Sequence, residues 1–537
     1  MIKNIDKDDF KYLKILIPMS IIAFFSTLWI RPADLMEARN FITAREMVES
    51  QNYIIPTLNG ALRFEKPPLP TWITAFIMNL TNNQTNEYIL RIPSALVGVI
   101  LVLLIYLFVK TLTKNSFKSF ITAFIGCTTF MIIKLSGENS WDIYSYVFTF
   151  GAVTFFIRGL NNGKYLNFIV SAVLLSASIL SKGPVPIYGL FIPFIIAHIV
   201  IYGAKDYKRN ASKIILMLFI SIVLAGIWPL LMYIKYPDIF INVLLKEKDT
   251  WTTKHTEPWF YYLDYFVYMG VWIFFSIFSL FKIYKLNLEN REKNYSKFIF
   301  WWNIIIIISL SLVNMKKKRY GIPIYITSIL EIGVICNYLY NKSWENLKRS
   351  EKYLIYFQNY FLIIISLAIP IVLLFKGYSK NIISLNYMLF LIAIFFSFDL
   401  IFFFTLLKKR NIIKYTILGS GILMLLINLT VNCYFDKQYI NTIFDEPITK
   451  NYPNIEIVRE NPPTYNIYSQ DYEIEDVWRV GKKIHQYNST INLPKKIVFW
   501  DSVPEKVLEE YKILKQEKYV KDDKKIVEIN YLEKLEV

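Results

Sequence analysis

Apolar residues come in blocks of roughly 18–24, separated by short charged loops, and this spacing constrains the chain more than any other feature. A helix of that length crosses a hydrocarbon core about 30 Å thick, since each residue adds about 1.5 Å of rise. A large soluble protein would carry shorter amphipathic stripes instead. Of the 537 residues 54% are hydrophobic and 17% aromatic, above the apolar share of about 45–50% usual in soluble domains. The pattern predicts an all-α polytopic membrane protein with about thirteen transmembrane helices. Their expected positions are 11–30, 91–112, 117–135, 141–158, 165–181, 185–203, 213–234, 261–282, 297–314, 321–340, 353–375, 382–407 and 411–434. The apolar run Thr71 to Thr81 is too short to cross and predicts an interfacial helix.

The net charge of +18 would suit a nucleic-acid binder, but most Lys and Arg fall in the short loops between apolar blocks. There they orient a membrane protein, so no nucleic-acid partner is expected. The N-terminus carries Lys3, Lys7, Lys11 and Lys14, and alternate loops carry clusters such as Lys110/Lys114/Lys118, Lys205/Lys208/Arg209 and Lys408/Lys409/Arg410. All of these fall on one side, which the positive-inside rule makes cytoplasmic. Cys127, Cys336 and Cys433 are scattered, so neither a disulfide framework nor a cysteine metal site is indicated.

The expected organisation is therefore a transmembrane domain over 1–434 and a small soluble domain over 435–537 on the extracytoplasmic side. The tail is polar and alternating, punctuated by Pro453, Pro462, Pro463 and Pro494, with strand-like runs at Lys496–Trp500 and Lys525–Ile529. That pattern reads as an α/β domain.

Two outer segments break the short-loop rule. Residues 31–90 form a first outer loop with its own secondary structure, and ordered long loops are usually functional. It contains Asp34, Glu37 and Arg39, a helix through Arg45-Glu46-Met47, and Phe64-Glu65-Lys66-Pro67-Pro68-Leu69. Asp34 and Glu37 stand at i and i+3, so they share a helix face; Asp34 can equally cap a helix whose first turn holds Glu37. The second segment, Lys316-Lys317-Lys318-Arg319-Tyr320, puts four cations outside, where they suit a phosphate headgroup. Asp142, Lys182 and the Lys254-His255-Thr256-Glu257-Pro258 stretch fall on the same outer side. Ionisable groups gathered at one face of a membrane protein point to an active site there.

At these residues the sequence resembles the GT-C superfamily of membrane glycosyltransferases, and within it the protein-mannosyltransferase-like family that includes bacterial aminoarabinose (lipid A) transferases. Asp34 to Met47 resembles the family's acidic first loop, and Phe64–Leu69 its Phe-Glu/Asp-Lys-Pro-Pro-Leu motif. Asp142, Ser181–Pro184, His255–Tyr262 and Lys318–Pro323 match later signatures in the family's order. There is one departure: an ungapped match puts Met36 and Glu37 under the family's adjacent Asp-Glu pair, with Asp34 two residues earlier.

The resemblance implies an enzyme, a hexosyl- or pentosyltransferase in the bacterial inner membrane, with active site and C-terminal domain facing the periplasm. It would take a sugar from a polyprenyl-phosphate donor and pass it to an envelope acceptor such as lipid A. It further implies Asp34 or Glu37 as the catalytic carboxylate; Arg39, Lys66, Lys182, Lys317, Arg319 and Tyr320 around the donor phosphate; Asp142 as a further active-site residue; and Glu65 with His255 as ligands of a divalent metal ion (Zn, Mn or Mg). Two ligands do not make a metal site from sequence alone. A protein O-glycosyltransferase of the same fold is the nearest alternative. A lipid or sugar transporter, or flippase, would place polar groups at the midplane and show repeated halves, and neither is visible.

Overall fold

The computed structural model describes residues 7–28, 32–286, 288–379, 384–409, 411–444, 466–488, 490–520 and 526–535. The chain divides into two compact units. The first comprises Met1–Leu28, Phe64–Pro70 and Arg91–Asn432, and the second Trp29–Arg63, Thr71–Leu90 and Cys433–Val537.

The first unit is a bundle of apolar helices, and the chain is a multi-pass membrane protein. Among the described residues nine helices are long and apolar enough to cross a membrane, or ten if the bent pair Ser116–Cys127 and Phe130–Ser136 is one span. The remaining three expected spans fall on Lys7–Phe25, Ile187–Tyr202 and Asn290–Ser311. The first and last of these begin with several charged residues, and the middle one is short. The bend of 64° between Cys127 and Phe130 has a local cause. Thr128 and Thr129 turn their hydroxyls back to the carbonyls of Phe124 and Ile125, each at 2.8 Å, which competes with the helical ladder. Trp272 Nε1 then donates to Thr128 Oγ1 at 3.0 Å and fixes the break.

The second unit differs from the expected organisation. Residues of the first loop and of the C-terminal tail share one hydrophobic core: Phe41, Val48, Met78 and Leu90 pack with Trp478, Ile484, Val498 and Trp500. The helix Leu35–Ser50 cannot bury its apolar residues within a sixty-residue loop, and the tail supplies the missing surface. The rings of Phe41 and Trp478 stand 4.9 Å apart. A hairpin of Thr57–Leu58 and Ala61–Leu62 turns at Asn59 and Gly60, whose φ values of 54° and 78° are those of the two-residue turn that Asn-Gly favours. Asn59 then acts as a side-chain strand partner. Its amide donates to the Ile484 carbonyl at 2.8 Å and accepts from the Ile484 N–H at 3.0 Å.

The tail is α/β, as its alternation predicts. A five-stranded sheet runs in the spatial order Ile484–Gln486, Asn466–Ser469, Lys496–Trp500, Ile526–Lys534, Tyr511–Val520. Its first three strands are parallel and its last two pairings antiparallel. The run Lys496–Trp500 is a strand with those limits, and the second run lies in Ile526–Lys534. Pro453, Pro462, Pro463 and Lys525 lie outside the described residues. The run at Thr71–Thr81 forms the helix Leu69–Thr81.

Candidate active site

The first unit holds a cavity of about 600 Å³ whose walls are largely apolar, within the range of about 300–1,000 Å³ usual for ligand sites. Four of the residues singled out in the sequence line it: Glu65, Lys66, Lys182 and Tyr320. Phe64 anchors the first two. It is 4% exposed and packs on Trp228, Tyr236 and Phe240 with ring separations of 5.7–6.4 Å. The two prolines after Lys66 keep this segment out of helix.

Lys182 is the last residue of the helix Tyr165–Lys182, which Gly183 terminates at φ 71°. A Cβ at Gly183 would meet nothing within 4 Å, so glycine is needed there for its backbone angle and not for space. The Lys182 ammonium pairs with Asp142, at the start of the helix Trp141–Asn162, and both side chains are buried. It also lies 3.9 Å from the Tyr320 ring centre, a cation–π contact. Lys66 pairs with Glu247 at 3.2 Å, with both side chains about a quarter exposed. Lys66 and Arg319 are each within electrostatic range of Lys182. Like charges held together in a buried place require anionic partners, here Asp142 and Glu247.

The basic segment is sorted by its neighbours. Lys318 is bound to Asp264 at 2.8 and 2.9 Å, donates to the Tyr261 carbonyl at 2.7 Å, and lies 3.6 Å from the Tyr261 ring centre. Lys316, 3% exposed, donates to the Glu257 carbonyl at 2.8 Å; burial pushes its ammonium pKa down and the Glu257 charge opposes this. The Lys317 carbonyl accepts the Tyr262 hydroxyl at 3.3 Å. Arg319 keeps a buried guanidinium nitrogen, Nη1, with no hydrogen-bond partner in the structure. That nitrogen has binding capacity left over for an anion.

Asp34, Glu37 and Arg39 belong to the second unit. Asp34 is the N-cap of the helix Leu35–Ser50, its Oδ1 accepting the N–H groups of Met36 and Glu37 at 3.0 Å each. Glu37 is fully buried in the first turn, and the Arg39 carbonyl accepts from Arg63 at 3.3 Å. His255 is exposed, stands at φ 52°, and is not among the residues that line the cavity with Glu65. Its carbonyl accepts the Lys316 N–H at 3.0 Å beside an antiparallel bridge between Thr256 and Met315. Among the described residues no group of three or more His, Cys, Asp or Glu side chains is placed to hold a metal ion. Glu65 lines the cavity and His255 does not, so the two are not brought together there.

Glu247 was not singled out in the sequence, although a signal existed. Phe240, Leu244, Glu247 and Trp251 all line the cavity from the helix Pro237–Thr253. Their spacing of i, i+4, i+7, i+11 is one helical face with a single acid set in it.

The profile of the family described as dolichyl-phosphate-mannose-protein mannosyltransferase matches residues 65–233. An uncharacterized protein of Aquifex aeolicus is 25% identical over 327 residues, 59% of this chain and 62% of its own length. The undecaprenyl phosphate-alpha-4-amino-4-deoxy-L-arabinose arabinosyl transferase of Pseudomonas savastanoi is 22% identical over 56% of this chain and 55% of its own. The chain thus matches little more than half of the length of these relatives. Over whole chains the fold is similar to the crystal structure of ArnT from Cupriavidus metallidurans bound to undecaprenyl phosphate, with a TM-score of 0.72 at 15% identity, covering 97% of this chain and 98% of that one. The apo structure of the same protein gives 0.70. The fold is therefore the GT-C fold that the sequence resemblance implied.

Proposed function

We propose that this multi-pass membrane protein of GT-C fold is a glycosyltransferase that moves a sugar from a polyprenyl-phosphate donor to an envelope acceptor such as lipid A. One observation carries the reading: Lys66 and Lys182 line a single cavity of about 600 Å³ whose walls are largely apolar, and Arg319 lies within electrostatic range of Lys182. A cationic end with a greasy body suits a ligand with a phosphate head and a polyprenyl tail. The similarity to undecaprenyl-phosphate-dependent relatives supports the same donor class.

In the reaction the glycosidic C–O bond to the donor phosphate breaks, and the same sugar carbon bonds to an acceptor oxygen. The phosphate leaves with an extra negative charge. Lys66, Lys182 and Arg319 stabilise that charge as it develops, with Tyr320 beside Lys182. Glu247 and Asp142 hold two of these cations before the donor arrives, and the donor phosphate replaces Glu247 on Lys66. An acceptor hydroxyl gives its proton to the first-loop carboxylate, Asp34 or Glu37, whereas an acceptor that is already anionic needs only orientation. Comparing lipid A and envelope glycoconjugates from cells with and without the gene tests this by mass spectrometry. A sugar-sized mass lost from lipid A is expected. Loss from a protein alone would move the acceptor to the protein class, and no change in any glycoconjugate would sink the proposal.

The alternating basic loops support an outer placement of the tail. Ser469 is fully buried and donates to the Asp471 carbonyl, so a probe there would report burial and not sidedness. Ser502 is exposed. Ser502→Cys in a Cys433→Ala background is expected to react with a membrane-impermeant maleimide in outer-membrane-permeabilised cells. Cys127 and Cys336 are buried and should stay silent. Reaction only after lysis would reverse the orientation.

A further inference from the structure

Four tyrosines from four elements of the first unit gather beside the Lys182–Asp142 pair. Tyr146 lies in the helix Trp141–Asn162 and Tyr188 in the π-turn Ile187–Phe191. Tyr262 closes the 3₁₀ segment Trp259–Tyr262, and Tyr320 lies in the turn Lys318–Gly321. Tyr146 is within electrostatic range of the other three and of Asp142. The Lys182 ammonium stands 3.9 Å from the Tyr320 ring centre and 5.8 Å from that of Tyr146. Tyr262 has a partner in the Lys317 carbonyl. Tyr188 lines the cavity, and among the described residues nothing hydrogen-bonds to its hydroxyl. Tyr146 Oη is fully buried and has no partner either.

The backbone around Tyr188 departs from a regular helix for a local reason. Pro193 has no N–H to give the Gly189 carbonyl, and the turn widens until the Ile192 N–H reaches back to the Ile187 carbonyl. Trp302 Nε1 takes up the Leu190 carbonyl at 3.2 Å. Single wide turns of this kind recur at functional sites. A Cβ at Gly189 would stand 3.6 Å from Tyr146 Oη, so Tyr146 packs on the backbone next to Tyr188. A phenol hydroxyl both donates and accepts. A polyprenyl tail has no polar group, and running past Tyr188 it would leave that hydroxyl dry and unpaired. An ionised phosphate only accepts, and the cations already serve it. Beside the phosphate such a donor has one other polar part, its sugar ring, whose substituents donate and accept as a phenol does.

We propose that Tyr188, backed by Tyr146, forms the subsite for the sugar ring of the donor, which rests on the donor class proposed above. The Tyr188 hydroxyl bonds a polar substituent of the ring and so selects among sugars. A wall built to hydrogen-bond a substrate hydroxyl rejects an analogue that lacks it, whereas apolar walls discriminate weakly. Tyr146 is not among the residues that line the cavity. It is a positioning residue that acts through Tyr188, with its own hydroxyl free to pair with that of Tyr188.

Tyr188→Phe keeps the ring and removes only the hydroxyl. The purified full chain in nanodiscs is offered two probes, with Tm as the folding control. One is polyprenyl phosphate; the other is the polyprenyl-phosphate-linked sugar extracted from cells lacking the gene, where unused donor collects. Binding of each is measured by native mass spectrometry. Tyr188→Phe is expected to bind polyprenyl phosphate within about twofold of the parent and to lose about tenfold or more on the sugar-linked donor. Tyr146→Phe should shift the same comparison in the same direction by less, and it carries the test should Tyr188→Phe not fold. A merely structural role would weaken both probes alike. An equal loss on both probes overturns the proposal, and so does parent-like binding of the sugar-linked donor. A parent protein that binds neither probe would instead sink the donor reading itself.

Discussion

Lys66→Ala is expected to abolish sugar transfer while the protein remains folded and inserted. The ammonium lines the cavity within electrostatic range of Lys182, and a charge-assisted contact to phosphate is worth roughly 1.5–3 kcal/mol. Losing it should cost about tenfold in turnover at the least, and more if the charge develops in the transition state. Folding should survive, because the Lys66–Glu247 pair is about a quarter exposed on each side, so water can reach the Glu247 carboxylate left behind. The measurement is transfer from a polyprenyl-phosphate-linked sugar by reconstituted protein, with Tm as the folding control. Binding of polyprenyl phosphate should weaken in parallel, because the same contact holds the ground-state phosphate. Activity within about twofold of the parent would show that this cavity is not the donor phosphate site.

The parts of this architecture that depend on local pattern were legible in the sequence. Runs of apolar residues mark the spanning helices whatever their neighbours are, and alternation marked the strand Lys496–Trp500. Phe64–Leu69 and Lys182-Gly183-Pro184 were visible because proline and glycine fix the backbone where charged side chains meet the cavity. What depends on distant pairing was not legible. Nothing in residues 35–50 says that Phe41 will pack on Trp478, more than four hundred positions away, so the first loop and the tail read as separate parts. The basic segment Lys316–Arg319 looked uniform, and only its neighbours Asp264, Glu257 and Tyr261 separate the bound cations from Arg319. Glu247 was hidden for the same reason: an acid in the charged run Lys246–Asp249 of an amphipathic helix reads as part of a solvated face until Lys66 is placed beside it.

The first-loop carboxylates carry the second large expected effect. Asp34 is half-buried and caps the helix Leu35–Ser50, whereas Glu37 is fully buried one turn later. A group that serves an incoming acceptor must be reachable, which favours Asp34; the ungapped family match favours Glu37. Asp34→Asn and Glu37→Gln keep the shape of each side chain and remove its charge. Asparagine caps helices about as well as aspartate, so the first change should leave stability nearly intact. Any loss of turnover in that variant then reports on chemistry and not on a frayed helix. Asp34→Asn is expected to lose about a hundredfold or more, the usual scale for removing general-base help. Glu37→Gln is expected to change Tm more than turnover, because a buried carboxylate that loses its charge mainly perturbs its fixed partners. The reverse result, with turnover collapsing only in Glu37→Gln, would assign the role to Glu37 and leave Asp34 as a cap. Parent-like turnover in both variants would make this loop structural and place the acceptor's base outside it.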